Sequence, residues 1–266
     1  MFAPTTDDGL RREELAEIDR HETLYRDTVG ANLRLVPWDW LKFDGERDPI
    51  SPYIASVTRL GDVTGKRVLD LGCGDGWFST ILAKRGAIVT GFDIATNAVR
   101  AAHRRAAVND VADRCGFATA SCYALPYADG AFDVAVGQSI LHHVGEKARV
   151  AAELHRVLQP GARAVFHEPF GNSLWLERLR RLVPVASMAP DDPDQWKHQF
   201  RYSDLEPFAR WFDTAIYEFQ FLSRLDRVIT AKPIVQAIGR VDLWLMRQCA
   251  WLRPYARAVV VELRAH

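Results

Sequence analysis

The chain has 266 residues, 48% of them apolar, with 34 basic and 34 acidic side chains that leave no formal net charge. These proportions exclude a disordered chain or a fibre and fit one large α/β domain or a domain with an appended lid. The neutral balance removes the broad cationic field on which non-specific nucleic-acid binding relies, so no nucleic-acid partner is expected.

The N-terminus becomes charged at Asp7-Asp8, where a secretory signal would be apolar. From Leu10 to Tyr25, charge-dense sequence with Leu10, Leu15, Ile18 and Leu24 predicts a surface helix. Val36 to Phe43 is an aromatic cluster without a clear period. Residues 1–60 therefore read as a helical and aromatic lid segment, ahead of a regular alternation of strands and helices over 61–266. Arg67 to Leu71 reads as a buried strand, ended by Gly72-Cys73-Gly74-Asp75-Gly76, and Trp77, Phe78, Ile81 and Leu82 recur at helical spacing before Gly86. Ala87 to Phe92 predicts a second strand closing at Asp93, followed by a helix over Ala95 to Asn109. Phe117 to Cys122, Phe132 to Gly137 and Ala162 to His167 predict three further strands, with a helix carrying Val144, Ala148, Ala151, Leu154 and Leu158 stopped by Pro160-Gly161. This order argues for a parallel sheet covered by helices on both faces. Beyond Glu168 the regularity loosens. Trp175 to Leu182 suggests a basic helix and Pro190 to Pro193 a loop, Ser203 is a candidate cap for a helix carrying Leu205, Phe208 and Trp211, and Thr214 to Phe221 returns to strand. A late helix through Ile234, Ile238, Val241, Leu245 and Leu252 precedes a final strand at Ala258 to Leu263. Insertions are expected near 171–200, as a lid, and near 224–254.

Cys73, Cys115, Cys122 and Cys249 show no CxxC spacing, so neither a disulfide framework nor a zinc knuckle is indicated. The longest stretch without Asp, Glu, Lys or Arg, Cys115 to Ala128, is too short for a bilayer. A cytoplasmic protein is expected.

A strand ending in a glycine-rich turn that opens a helix lets backbone approach a ligand and offers free N–H groups. Asp93, seventeen positions after Gly76, suits a ribose diol. A dinucleotide fingerprint would need a small residue where Trp77 stands, and Asp70 and Asp75 beside the loop would repel a pyrophosphate. The loop favours S-adenosylmethionine, with its ammonium and sulfonium, over a nicotinamide dinucleotide.

Val68-Leu69-Asp70-Leu71-Gly72-Cys73-Gly74-Asp75-Gly76 resembles the first motif of the class I S-adenosylmethionine-dependent methyltransferases. Gly91-Phe92-Asp93-Ile94, Leu125-Pro126-Tyr127 before Phe132-Asp133-Val134, Ile140-Leu141-His142-His143, and Arg156 to Gly161 follow in the family's order. The resemblance covers residues 64–170 firmly and the rest loosely. It implies a Rossmann-like seven-stranded, mostly parallel sheet with helices on both faces and the last strand antiparallel. It implies S-adenosylmethionine as cofactor, with Asp70, Gly72, Cys73 and Gly74 near its methionine part, Asp93 on the ribose, Ile94 against the adenine and Gln138 on the methionine carboxylate or sulfonium side. The turn Ser121-Cys122-Tyr123 falls at the adenine edge, and Ser121 stands where many members carry an acid for the adenine amino group.

The resemblance implies transfer of a methyl group to a small organic acceptor, of the kind found in secondary metabolism, giving S-adenosylhomocysteine. The alternatives are another reaction of the bound cofactor, such as cyclisation or decarboxylation, and methylation of a lipid-like acceptor at a membrane surface. A base is needed only if the acceptor must lose a proton. The candidates are His142, His143, His167 and Glu168; packing and cofactor lining are the default for the His-His pair, and Glu168 is expected to hold backbone or a substrate group. His198 is a further candidate, and no metal is expected, because no HxxxH-type spacing occurs. Trp38, Trp40, Phe43, Trp175 and Trp196 would pack the core or close an aromatic acceptor pocket. Eight Lys or Arg against three Asp or Glu from Arg224 to His266, beside Trp244 and Trp251, suggest a solvated basic face or a weak contact with an anionic membrane.

Overall fold

Val68, Leu69 and Leu71 of strand β1 (Arg67–Leu71) are completely buried, which places this run at the centre of a sheet covered on both faces. The computed structural model describes residues 7–42, 51–173, 199–222 and 232–266. Seven strands form one sheet, adding β2 (Ile88–Asp93), β3 (Cys115–Thr119), β4 (Phe132–Gln138), β5 (Leu158–Pro169), β6 (Phe212–Phe219) and β7 (Ala258–Ala265). Their order is β3-β2-β1-β4-β5-β7-β6. β7 runs antiparallel to both neighbours and the other pairings are parallel, as expected for this architecture.

Because side chains alternate across a strand, successive residues feed two cores. Val68, Val134, Val136, Val165 and Val260 pack on one face with Leu60, Phe78, Leu82 and Ala106. These come from helices α3 (Pro52–Leu60), α4 (Trp77–Lys84) and α5 (Thr96–Val108). Leu69, Leu71, Phe166, Val259 and Val261 face the other side. That side is covered by Val150, Ala151 and Leu154 of α6 (Lys147–Val157), by Phe200 and Phe208, and by Met246 of α7 (Lys232–Gln248).

Several boundaries differ from expectation for identifiable reasons. β3 ends at Thr119 rather than Cys122, because its partner β2 ends at Asp93, the residue paired with Thr119. Pro160-Gly161 does not separate helix from strand; β5 begins at Leu158 and absorbs the pair as a register shift against β4. β6 lies two residues earlier than expected, held in register with β7 from Phe212 to Phe219. Ser203 is not a cap. Asp204 accepts from the Arg201 backbone N–H at 2.8 Å, and Pro207, which has no N–H to donate, leaves Tyr202–Phe208 a 3-10 turn. The aromatic run after Val36 forms the short helix α2 (Pro37–Leu41).

Helix α1 (Asp7–Tyr25) is the largest departure. Leu15 and Leu24 are more than half exposed, whereas Glu14, Glu17, His21 and Tyr25 are partly buried. These four positions share one face of a 3.6-residue helix, and that polar face turns onto the protein. The structure of residues 174–198 and 223–231 lies outside the description, and with it the expected helix at Trp175 to Leu182, the Pro190 loop, Trp196 and His198. Phe43 and the side chain of Trp38 lie outside it as well.

Candidate active site

The turn from β1 into α4 runs in left-handed backbone at Gly72, Gly74 and Gly76, with φ of +61°, +52° and +74°. A side chain at Gly72 would meet Ile140 at 2.7 Å, and one at Gly76 would meet the Ala102 backbone at 2.9 Å. Glycine is required at both for space and for backbone conformation. The turn is tied to the end of β2, where Gly74 N–H donates to Asp93 Oδ2 at 3.0 Å and Ala95 N–H to Oδ1 at 2.9 Å. Burial raises the Asp93 carboxyl above its usual range.

Next to this turn lies a cavity of about 600 Å³ including its open mouth. Its lining includes Gly72, Asp93, Ile94, Cys122, Tyr123 and His143, which brings six of the expected residues together across four loops of the sheet's C-terminal edge. Asp70, Cys73, Gly74, Ser121, Gln138, His142, His167 and Glu168 are not among its lining residues. Asp70 is buried, accepts from Ser79 Oγ at 2.5 Å, and is pushed up to about 7 by burial and the nearby Asp93. Asp75 is paired with Arg105. The two carboxylates that seemed to flank the loop are thus both engaged elsewhere. The acidic lining comes from Asp93 and from Glu13, Glu14 and Glu17 of α1.

These α1 residues, with His21, were missed by sequence reasoning, which weighed only the apolar residues of the helix. The recurrence of Glu14, Glu17, His21 and Tyr25 on one face is the signal that could have found them. Glu22 ties the helix down by accepting from the backbone N–H groups of Thr96 and Asn97 at 2.6 and 2.9 Å. Glu17, His21 and His143 bring possible ligand atoms within 4.8 Å of one another. Arg20 lies among them, 2.7 Å from Glu17 and 2.7 Å from His143 Nδ1, so a guanidinium supplies the positive charge there. Burial opposes ionisation of Glu17, yet the neighbouring His143, His21 and Arg20 hold it far below the carboxylate range.

The two adjacent histidines face opposite chemistry. His142 Nδ1 lies 2.7 Å from Glu168 Oε2, and a carboxylate can only accept, so Nδ1 carries a proton and, in the neutral ring, Nε2 keeps its lone pair. His143 Nδ1 accepts from Arg20, which leaves Nε2–H as a donor; burial lowers its basicity. Glu168 is fully buried and also accepts from the backbone of Ile140, Leu141 and His142 at 3.0, 2.9 and 3.4 Å. Burial opposes its charge, but these donors hold it below the usual range. They close a turn in which Ser139 adopts a left-handed φ of +57°. His167 is partly buried, depressed to about 4 by desolvation, with Nδ1 3.0 Å from Gln138 Oε1 and its ring edge-on to Tyr53. Gln138 Nε2 is buried without a hydrogen-bond partner among the described residues.

A family model described as a methyltransferase domain matches residues 69–166. The chain is 34% identical over 197 residues to 27-O-demethylrifamycin SV methyltransferase of Amycolatopsis mediterranei, covering 67% of this chain and 68% of that protein. It is 31% identical over 183 residues to a ubiquinone biosynthesis O-methyltransferase of Cronobacter sakazakii, covering 66% and 74%. Among solved structures, geranyl diphosphate C-methyltransferase from Streptomyces coelicolor A3(2) superposes with a TM-score of 0.59 at 16% identity, over 81% of this chain and 78% of that one. The [4+2]-cyclase SpnF superposes with a TM-score of 0.58 at 18% identity, over 95% of each. At these identities the two structures show the fold alone.

Proposed function

Because the chain belongs to the class I S-adenosylmethionine-dependent methyltransferases, which methylate small organic acceptors, we propose that its acceptor is a hydroxyl-bearing metabolite and that His142 is the general base. The observation that carries this is the 2.7 Å contact of His142 Nδ1 with the buried Glu168 carboxylate. It fixes the ring and, in the neutral imidazole, leaves the Nε2 lone pair free, as an orienting acid does for a catalytic histidine. Relatives named for O-methylation support a hydroxyl acceptor.

The residues present fit the cofactor. Gly72 and Gly74 present backbone where a side chain would intrude, and Gln138 offers a buried amide donor with no partner among the described residues. Each Asp93 oxygen, after accepting one backbone N–H, retains a lone-pair direction for a ribose hydroxyl. When bound, S-adenosylmethionine supplies a methyl group on a positively charged sulfur, which any nucleophile aligned behind it can displace. The protein aligns the acceptor and excludes water. His142 Nε2 would take the proton that a hydroxyl acceptor loses on methylation. Calorimetric titration with S-adenosylhomocysteine tests the cofactor side. Asp93→Ala is expected to weaken binding at least tenfold, about 1.4 kcal/mol. Equal affinity of the variant would sink the assignment of Asp93 to the ribose.

A second surface concerns location. No helix among the described residues is long and apolar enough to cross a membrane. Ile234, Val241 and Trp244 of α7, with Trp251 in the following 3-10 turn, are all about half exposed or more, beside exposed Arg240, Arg247 and Arg253. Asp242, the acid of this helix, is buried and accepts from the Phe221 backbone N–H at 3.0 Å. Exposed tryptophan flanked by arginine, without exposed acid, suits the interface of an anionic bilayer. In this reading a cytoplasmic enzyme touches that surface peripherally. Flotation with phosphatidylserine vesicles at low salt is expected to carry the protein, and Trp244→Ala/Trp251→Ala to abolish it. Wild type that stays at the bottom would remove the contact.

A further inference from the structure

We propose that Glu14, on helix α1, is the residue that reads the adenine base, supplying from the N-terminal helix the carboxylate absent at Ser121. The inference rests on the cofactor assignment above and concerns how this chain compensates for its own departure from the family's pattern. Ser121 Oγ donates a short hydrogen bond to Glu14 Oε1, across 107 positions of sequence, while accepting from the Tyr123 backbone N–H at 3.2 Å. The serine is thus a bracket that holds a carboxylate at the turn, and Glu14 keeps further lone pairs for another donor.

The surroundings suit a flat base. Glu14 lines the cavity together with the apolar Phe92, Ile94, Ala120 and Cys122, and with three other carboxylates, Asp93, Glu13 and Glu17. The other two α1 carboxylates of the cavity are placed differently. Glu17 is paired with Arg20, and a Glu13 oxygen lies 2.7 Å from where a side chain on Gly145 would begin. The Glu14 charge is felt at the turn itself, since burial and then this carboxylate push the Cys122 thiol up to about 12.

A carboxylate accepts a hydrogen bond from a 6-amino group but meets a 6-oxo group acceptor to acceptor. A site built this way disfavours the oxo base, because the partly buried carboxylate would face its oxygen with no proton between them. The base-reading group also sits on the segment that covers the cavity, so recognition of adenine and seating of α1 are coupled.

The test is calorimetric titration of the full-length protein with S-adenosylhomocysteine and its 6-oxo counterpart, S-inosylhomocysteine. Wild type, Glu14→Ala and Glu14→Ala/Ser121→Asp are compared, each shown to be folded by a thermal melt. Wild type is expected to prefer the adenine compound by at least about tenfold, roughly 1.4 kcal/mol. Glu14→Ala should lose most of that preference, and adding Ser121→Asp should restore it from the sheet side. Glu14→Gln, nearly isosteric, is also expected to lower the preference, because its amide can donate to a 6-oxo group; it serves if the alanine variant fails to fold. A preference unchanged by these Glu14 substitutions overturns the proposal and leaves the cofactor assignment intact. Failure of folded wild type to bind either compound, with no nucleoside released on denaturation, overturns both.

Discussion

Replacing His142 with alanine is expected to lower kcat by about a hundred- to ten-thousandfold, the range over which a positioned base contributes, while leaving S-adenosylhomocysteine affinity within about twofold. The asymmetry follows from placement. The ring is anchored to Glu168 at the end of β5, whereas the cavity proposed for the nucleoside is lined by its neighbour His143. His143→Ala is expected to behave differently. It removes the Arg20 contact and a cavity wall, so cofactor affinity should fall along with rate. The measurement is steady-state kinetics with a hydroxylated acceptor, paired with titration of the product nucleoside for each variant. Equal kcat for wild type and His142→Ala would mean that the acceptor reaches the site already ionised or is not a hydroxyl, and the assignment of the base would be lost.

Glu168→Ala is expected to lower folding stability by about 3–5 kcal/mol, the scale for removing one partner of a buried charged network. Four donors converge on this fully buried carboxylate: three successive backbone N–H groups and the His142 ring. Alanine leaves all four without an acceptor in a site from which water is excluded, and unpaired buried donors cost more than ordinary hydrogen bonds contribute. The same donors hold a turn with a left-handed Ser139, so the released backbone has a strained conformation to relax. Glu168→Gln keeps the shape and an accepting oxygen, so it should cost less stability while still lowering kcat by loosening the orientation of His142. Chemical denaturation midpoints of the two variants check the first part, and kinetics of the glutamine variant the second. An alanine variant within about 1 kcal/mol of wild type would show that water or a rearranged turn satisfies these groups.

What was legible in the sequence was whatever is encoded locally. The run Val68 to Leu71, the three glycines and the helical spacing from Trp77 identify strand, turn and helix, because backbone conformation and side-chain period are properties of neighbours in the chain. Asp93 at the close of the next strand was legible for the same reason. The order of strands and helices, read together, pointed to the parallel sheet. The histidine pair could be named from the resemblance and Glu168 from its place at the end of a strand, but not the contact between His142 and Glu168.

Tertiary structure alone decided which side chains face the cavity. Asp70 and Asp75 look alike beside the glycine turn, yet one is buried against Ser79 and the other paired with Arg105. The carboxylates that do line the cavity belong largely to a helix whose leucines suggested an ordinary surface element. Glu14 meets Ser121 and Arg20 meets His143 across 107 and 123 positions of sequence. Neither periodicity nor spacing carries information over that distance. A residue type states which hydrogen bonds it can make, and only the packing of the chain chooses its partner; that choice sets the contacts of His142 with Glu168 and of His143 with Arg20.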